Sequence, residues 1–511
     1  MFLNTSIQAL GKNLMASGED KFKIIRQEFP EMTMEQFKLL MGKQVYPDDY
    51  MDTWEKFEEQ QLPTKELFFN KLRDKDITDE DYAHAQEVWR KCGCETMMDY
   101  HDLYLMCDVL TLCAAFEEFR TVCLKSPRKE VDPATRFSGQ LQLLVVEPGN
   151  YELDPAHYVS APHLSWDAML KCTGCKLELI TDPTMYQLLQ NNMRGGVCMI
   201  SQRYARANNK YLGNSYDPQK ETTYIVDIDA NNLYGKAMSF PLPFSGFEWL
   251  LPEQWAQINW LEQLEKQDIG YFVTWDLEYP ADLHEEHNDY PMGPERIEIT
   301  ANFLSPKQVE IARHYSRGRG QKSVKLLPSL MTKKNYCVHY LNLQFYIRHG
   351  LKLVKIHNVI RFKQSSWLAP YIEKNQHLRA SAQNELEKDF FKLMNNAVYG
   401  KTCENLSKRT DIRLVTDRKE AMDLASKPHC INARDFGEQM VGIELLKVNQ
   451  IINKPFYVGF AVLELSKLHM MRYPYLHFVL LIFWFDSIIV NPHHGPYAHL
   501  VGTLLSMGIF Y

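Results

Sequence analysis

"YIVDIDANNLYGKAMSFPLP", residues 224–243, reads as an apolar strand that ends on a carboxylate and turns at once into a helix. Asp229 stands at the strand end, before the turn residues "ANNLYG". A carboxylate at such a junction can hold a divalent cation while the adjacent backbone approaches a triphosphate. Asp227, two residues earlier, points to the same strand face because side chains alternate along a strand. The plainer reading is a strand-terminal aspartate before an ordinary turn.

A second string, "EKDFFKLMNNAVYGKT" at residues 387–402, bears on that choice. Lys392, Asn396 and Tyr399 recur at i, i+4 and i+7, so one face of a helix carries an ammonium, an amide and a phenol ring. Gly400 is expected to let the chain leave the helix or approach a base closely. Polar helix faces are commonplace. One of this composition, downstream of a strand–Asp–turn, is not.

The first string resembles motif A of family B DNA polymerases, DxxSLYP, with Asn232 for Ser and Gly235 for Pro. The second is similar to their motif B, KxxxNSxYG, with Ala397 for Ser. "MRGG" at residues 193–196 is like the YxGG turn between exonuclease and polymerase parts, with Met193 for Tyr. "YHDLYLMCD" at residues 100–108 fits the YxxxD motif of the proofreading exonuclease through Tyr104 and Asp108. "LDPAHYVSAPHLSWDAML", "YARANN", "DLEYPADLHEEHNDYP" and "VGFAVLELSK" are similar to protein-primed polymerases of phages, linear plasmids and self-synthesising transposons. The similarity runs from about Tyr46 to Lys467, interrupted at residues 126–150.

The resemblance implies an α+β right-hand polymerase, with palm and fingers, a remnant RNase H-like 3′-5′ exonuclease domain, and the thumb missing. Its parts would be residues 1–125 (exonuclease), 126–150 (insertion or linker), 151–245 (connection and first palm segment), 246–366 (basic insertion), 367–410 (fingers) and 411–511 (second palm segment). It implies template-directed deoxynucleotidyl transfer to primer–template DNA, in replication of a mobile or viral-type element. Two Mg²⁺ ions, or Mn²⁺, would be held by Asp229 and a motif C carboxylate. Tyr234 would be the steric gate against a 2′-hydroxyl. Lys392 would neutralise the triphosphate, with Arg379 a weaker candidate for that work, and Asn396 and Tyr399 would pack on the nascent base pair. Arg194, Gly195 and Gly196 would clasp a phosphate of the DNA. A terminal priming protein is an implied partner, and the molecule is expected to be a monomer.

Two departures stand out. Motif C, YxDTDS, has as its nearest counterpart "IFWFDSIIV" at residues 482–490, where Asp486 aligns with the last Asp and Trp484 fills the first Asp position. The family's exonuclease DxE pair precedes the point where this sequence begins. A chain lacking the start of its exonuclease and the end of its thumb is therefore expected. The competing reading is a catalytically inactive remnant that only binds nucleic acid.

The chain has 57 basic and 64 acidic residues among 511, so it is no polycation, and a nucleic-acid site must come from uneven charge. Between Lys307 and Lys363 there are thirteen Lys or Arg, including Arg317, Arg319 and Lys322, against Glu310 alone. Interleaved Tyr315, Tyr336, Tyr340 and Tyr346 suit a phosphate-tracking surface with bases on aromatic rings. A solvated face of a mixed domain is the alternative.

Periodicity predicts mostly helix over residues 33–119, with Thr78 as a helix entry, and a long helical stretch over residues 367–403. Strands are predicted at "TTYIVDID", "YFVTWDLEYP", "DIRLVT", "FYVGFAVL" and the apolar run at residues 478–485. That last run is too short to cross a membrane. Eleven scattered cysteines point to a reducing intracellular compartment, nucleus or cytoplasm undistinguished. The pairs Cys92/Cys94 and Cys172/Cys175 offer zinc ligands without a histidine at finger spacing.

Overall fold

A computed structural model describes residues 6–41, 44–124, 150–198, 204–225, 230, 232–315, 323–382, 384–406, 409–437, 440–447, 452–472 and 475. Asp227, Asp229, Arg317, Arg319, Lys322 and Asp486 lie outside them, as do the 478–485 run and nearly all of the 126–150 segment. The helices are α1 (Ile7–Ser17), α2 (Lys23–Glu28), α3 (Met34–Leu40), α4 (Asp79–Cys92), α5 (Met97–Leu124), α6 (Ala161–Thr173), α7 (Pro183–Asn191) and α8 (Leu233–Met238). They continue with α9 (Pro252–Trp255), α10 (Pro306–Tyr315), α11 (Tyr340–Arg348), α12 (Ala369–Ala380), α13 (Glu385–Thr402), α14 (Arg418–Ala425) and α15 (Phe456–Arg472). The strands are β1 (Leu242–Trp249), β2 (Ile269–Glu278), β3 (Glu295–Ile299), β4 (Ser323–Leu327), β5 (Lys333–His339), β6 (Lys352–Ser365), β7 (Thr410–Val415), β8 (Cys430–Asp435) and β9 (Val441–Leu446). The content is mixed α and β, and no described helix is long and apolar enough to cross a membrane.

The chain divides into two compact units. The first comprises Met1–Gly174 and Glu373–Val398, and the named elements among its described residues are helices. Thr78 caps α4 by accepting from the Asp81 amide, as its sequence predicts, and Gly93 ends that helix in the left-handed region. One apolar cluster joins Leu10, Leu14, Phe22, Ile25 and Phe37 to Ala114, Ala115 and Leu386. Another joins Leu40, Phe68, Ala85 and Val88 to Met97, Tyr100 and Cys107. Helix α5 thus contributes to both.

A buried polar chain links α12 and α13 within this unit. The Tyr151 hydroxyl donates to Asn375 Oδ1, and Asn375 Nδ2 donates to Asn395 Oδ1 at 2.8 Å. Asn375 is fully buried and Asn395 nearly so. Asn375→Leu keeps the number of side-chain heavy atoms but removes both hydrogen bonds, and a buried polar atom that loses its bond costs roughly 1–3 kcal/mol. Urea unfolding should therefore show a loss of about 2 kcal/mol or more. A loss within about 0.5 kcal/mol, the range of an ordinary surface change, would mean that the partners re-pair.

The second unit comprises Cys175–Ile372 and Tyr399–Tyr511. Its centre is an antiparallel sheet in the order β1-β6-β2-β5. Strand β2, read correctly from alternation and β-branched residues, buries Phe272, Val273, Trp275 and Leu277. Helix α11 packs against β2 and β5, and α15 against β1 and β5. The ribbon β3-β4 forms a separate pair, and β7-β9-β8 a small sheet on which α14 packs.

Four sequence expectations need correction. "FYVGFAVL" is no strand: it opens α15, which is buried from Phe456 to Leu468 on every side. An apolar run buried all round carries no period that separates helix from strand, and the decision falls to length. The strands expected after Tyr457 are therefore absent at residues 456–472. Gly400 does not end its helix, because α13 runs on to Thr402. Residues 222–225 form only an isolated bridge, Thr223 with Asn208. Finally, Tyr336, Tyr340 and Tyr346 are 1–3% exposed core residues and offer no ring to a base; the Tyr315 side chain lies outside the description.

Candidate functional site

Tyr234 and Tyr399, from residues 224–243 and 387–402, meet face to face in the second unit. Their ring centroids are 4.4 Å apart and the planes differ by 7°. Tyr234 rides on the short helix α8, whose first residue follows Asn232 at φ 53°, ψ 48°. Asparagine is among the few residues that enter this left-handed region readily. Its carboxamide lies where a Cβ on residue 235 would be, so Asn232 and Gly235, the two departures from DxxSLYP in this stretch, are matched to each other.

Helix α15 sets both rings. It packs along α8, and it approaches the end of α13 so closely that a Cβ on Gly459 would overlap Cys403 Sγ and lie 2.7 Å from Thr402 Oγ1. Thr402 in turn donates to the Tyr399 carbonyl at 2.7 Å. The residue that sequence reasoning missed is thus Gly459, and its signal was a lone glycine in an apolar run. A glycine there marks close backbone approach.

The Tyr234 hydroxyl is buried and reaches no hydrogen-bond partner among the described residues. Burial raises its pKa, and the Cys403 thiol adds to the rise. Burial also pushes the Cys403 thiol up to about 11, against hydrogen bonds from Thr402 and Tyr399. Nearby, Lys401 and Arg409 both pair with Glu404. Burial would raise that carboxyl, but the two cations draw it down to about 2. Their charges are accordingly engaged by protein.

Lys392 and Asn396 lie on α13 and are exposed. Among the described residues Lys392 makes neither an ion pair nor a side-chain hydrogen bond. Arg379, in the last turn of α12, is also exposed. Arg194 is different. It is 7% exposed, donates to the Cys337 carbonyl at 2.9 Å and to Asn192 Oδ1, and lies 3.7 Å over the Tyr336 ring. Its guanidinium faces protein groups where the resemblance implied a phosphate. Gly196 takes φ +74°, and Gly195 is partly exposed.

In the first unit, Tyr104 stacks on Tyr46 at 4.8 Å. Together with Asp108, Tyr104 lines a cavity of about 300 Å³ that also holds Lys12, Gln44, Arg73 and Thr111. Burial raises the Asp108 carboxyl, which Tyr104 partly offsets and Asp48 reinforces. Cys92 and Cys94 sit against the α4 core, and burial pushes the Cys94 thiol up to about 12. Among the described residues no three His, Cys, Asp or Glu side chains gather to hold a metal. The carboxylates implied for that task, Asp229 and Asp486, are oxygen donors of the kind hard divalent cations take.

The family described as DNA polymerase type B, organellar and viral, matches residues 2–441. No curated protein matches the chain. Among solved structures, phi29 DNA polymerase in an orthorhombic crystal form is 14% identical, with a TM-score of 0.39 over 90% of this chain and 59% of that one. Phi29 DNA polymerase complexed with single-stranded DNA is 13% identical, with a TM-score of 0.38 over 98% of this chain and 59% of that one. The chain spans less than two thirds of the length of these structures.

Proposed function

This chain belongs to the organellar and viral DNA polymerases of type B, and we propose that it transfers deoxynucleotides to a primer 3′-hydroxyl under the direction of a DNA template. The observation that carries the proposal is the Tyr234–Tyr399 stack, because it joins the two motif-like strings in one place. In this reading α8 and α15 belong to the palm, β2, β5 and β6 to the basic insertion of residues 246–366, and α12 with α13 to the fingers. Tyr104 and Asp108 belong to an exonuclease remnant.

Each residue has a stated task. The Tyr234 ring closes the space beneath the sugar, so a 2′-hydroxyl is excluded by volume. Tyr399 and Asn396 bear on the base of the incoming nucleotide, and Lys392, with Arg379 beside it in role, offsets triphosphate charge. Asp229 and Asp486 would hold divalent cations, which when bound lower the barrier to attack by the 3′-oxygen and stabilise the departing pyrophosphate. Primer–template DNA and deoxynucleoside triphosphates are the partners; a priming protein and a mobile or viral-type element are the wider setting. Primer extension in Mg²⁺ is the test.

The basic segment between Lys307 and Lys363 is proposed to follow phosphates. Each phosphate contact contributes about −0.9 to the slope of log affinity against log salt. Charge reversal at Arg317, Arg319 and Lys322 should thus make the slope shallower by up to about 3, as measured by fluorescence anisotropy on a labelled duplex. An unaltered slope would place the binding face elsewhere.

A further inference from the structure

Lysine is almost never fully buried unless paired, yet the Lys333 side chain is 0% exposed. It stands at the start of β5, where the central sheet gives rise to the β3-β4 ribbon. Lys333 Nζ donates to Glu295 Oε1 at 2.6 Å, to the Ser329 carbonyl at 3.0 Å and to Ser329 Oγ. Ser329 Oγ donates in turn to Glu295 Oε1 at 2.8 Å. Glu295 is the first residue of β3 and pairs with Leu327, the last of β4. One ammonium therefore ties the two ends of the ribbon to the sheet.

A second pin lies beside it. The Tyr336 hydroxyl donates to the Pro294 carbonyl at 2.8 Å, one residue before the ribbon begins. The ring of Tyr336 is the one that Arg194 covers. Beyond this root β3 and β4 pair with each other, from Glu295–Leu327 to Ile299–Ser323. It exposes Arg296 and Lys325, and α10, which follows β3 in the chain, exposes Lys307 and Arg313.

A two-stranded ribbon is marginal on its own in water, so the contacts at its root contribute to its order. We infer that Lys333 is a positioning residue: with Glu295 and Ser329 it locks the ribbon root, so that the basic arm meets nucleic-acid phosphates as a rigid element. The nucleic-acid part rests on the polymerase reading; the lock itself does not. Burial lowers the Lys333 pKa, Glu295 opposes that fall and Arg194 adds to it.

Two measurements on the full chain test this. Hydrogen exchange should show ribbon amides at residues 296–298 and 324–326 exchanging about tenfold faster in Lys333→Met, with β2 and β6 amides unchanged. Glu295→Gln should be worse, since it leaves the buried ammonium without its counter-charge, and the double variant should be no worse than Lys333→Met. Equal protection in all variants overturns the lock, and uniform loss across the sheet overturns its local character. Anisotropy on a primer–template should show Lys333→Met binding several-fold more weakly with a shallower salt slope. Loosened ribbon amides with unchanged DNA affinity overturn the arm's role. Failure of the wild type to bind the duplex overturns the polymerase reading and the DNA half of this inference, while exchange still decides the lock.

Discussion

Asp229→Ala should abolish extension of a primed DNA template in Mg²⁺ under conditions where the wild type extends it. Outer-shell partners of metal ligands typically cost 10–100-fold when lost, and removing a direct ligand should exceed that. On the proposed motif C counterpart, Trp484 would fill the position of one family carboxylate and Asp486 would be the remaining partner. Two adjacent divalent cations need carboxylates to offset their charge, so there is little redundancy. Extension by wild type and not by Asp229→Ala supports the enzyme. Binding of DNA with no extension by either protein would identify a remnant that only binds, and equal extension by both would remove Asp229 from the site. Asp486→Ala, assayed alongside, should also lose extension if Asp486 supplies the second carboxylate.

Tyr234→Val should admit ribonucleotides. The Tyr234 ring lies flat on Tyr399 at 4.4 Å, and it is held there by α8, which packs on the buried α15. Valine removes the ring and leaves the backbone of α8 in place, opening volume where a 2′-hydroxyl would lie. Pocket differences of this size are worth about 1–3 kcal/mol, or roughly 10–200-fold in discrimination. Single-nucleotide insertion kinetics with matched ribo- and deoxynucleotides measures it. Tyr234→Phe provides the control: it retains the ring and loses only a buried hydroxyl that has no partner among the described residues, so selection should persist. Discrimination that survives Tyr234→Val would take the residue out of the gate role, and discrimination lost in Tyr234→Phe would assign it to the hydroxyl.

Local order decided what the sequence could reveal alone. Thr78 with the amide three residues on, the alternation of β2, the strand at "DIRLVT" and the spacing of Lys392, Asn396 and Tyr399 on α13 all depend on neighbours within a few positions. The family was legible for the same reason, since its strings are short and their residue identities specific. What the tertiary structure alone decided was solvation. An apolar run such as residues 456–463 is compatible with strand or helix until its length and covering are known, and α15 is covered on all sides. Lys333 and Arg194 read as solvent-seeking cations, but Glu295 and the Tyr336 ring come from elsewhere in the chain to receive them. Tyr336, Tyr340 and Tyr346, promising as stacking rings in a basic segment, are interior because the sheet and α11 enclose them. Charge and aromaticity are properties of a residue, whereas whether water or protein satisfies them is a property of the fold, and no one-dimensional pattern contains it.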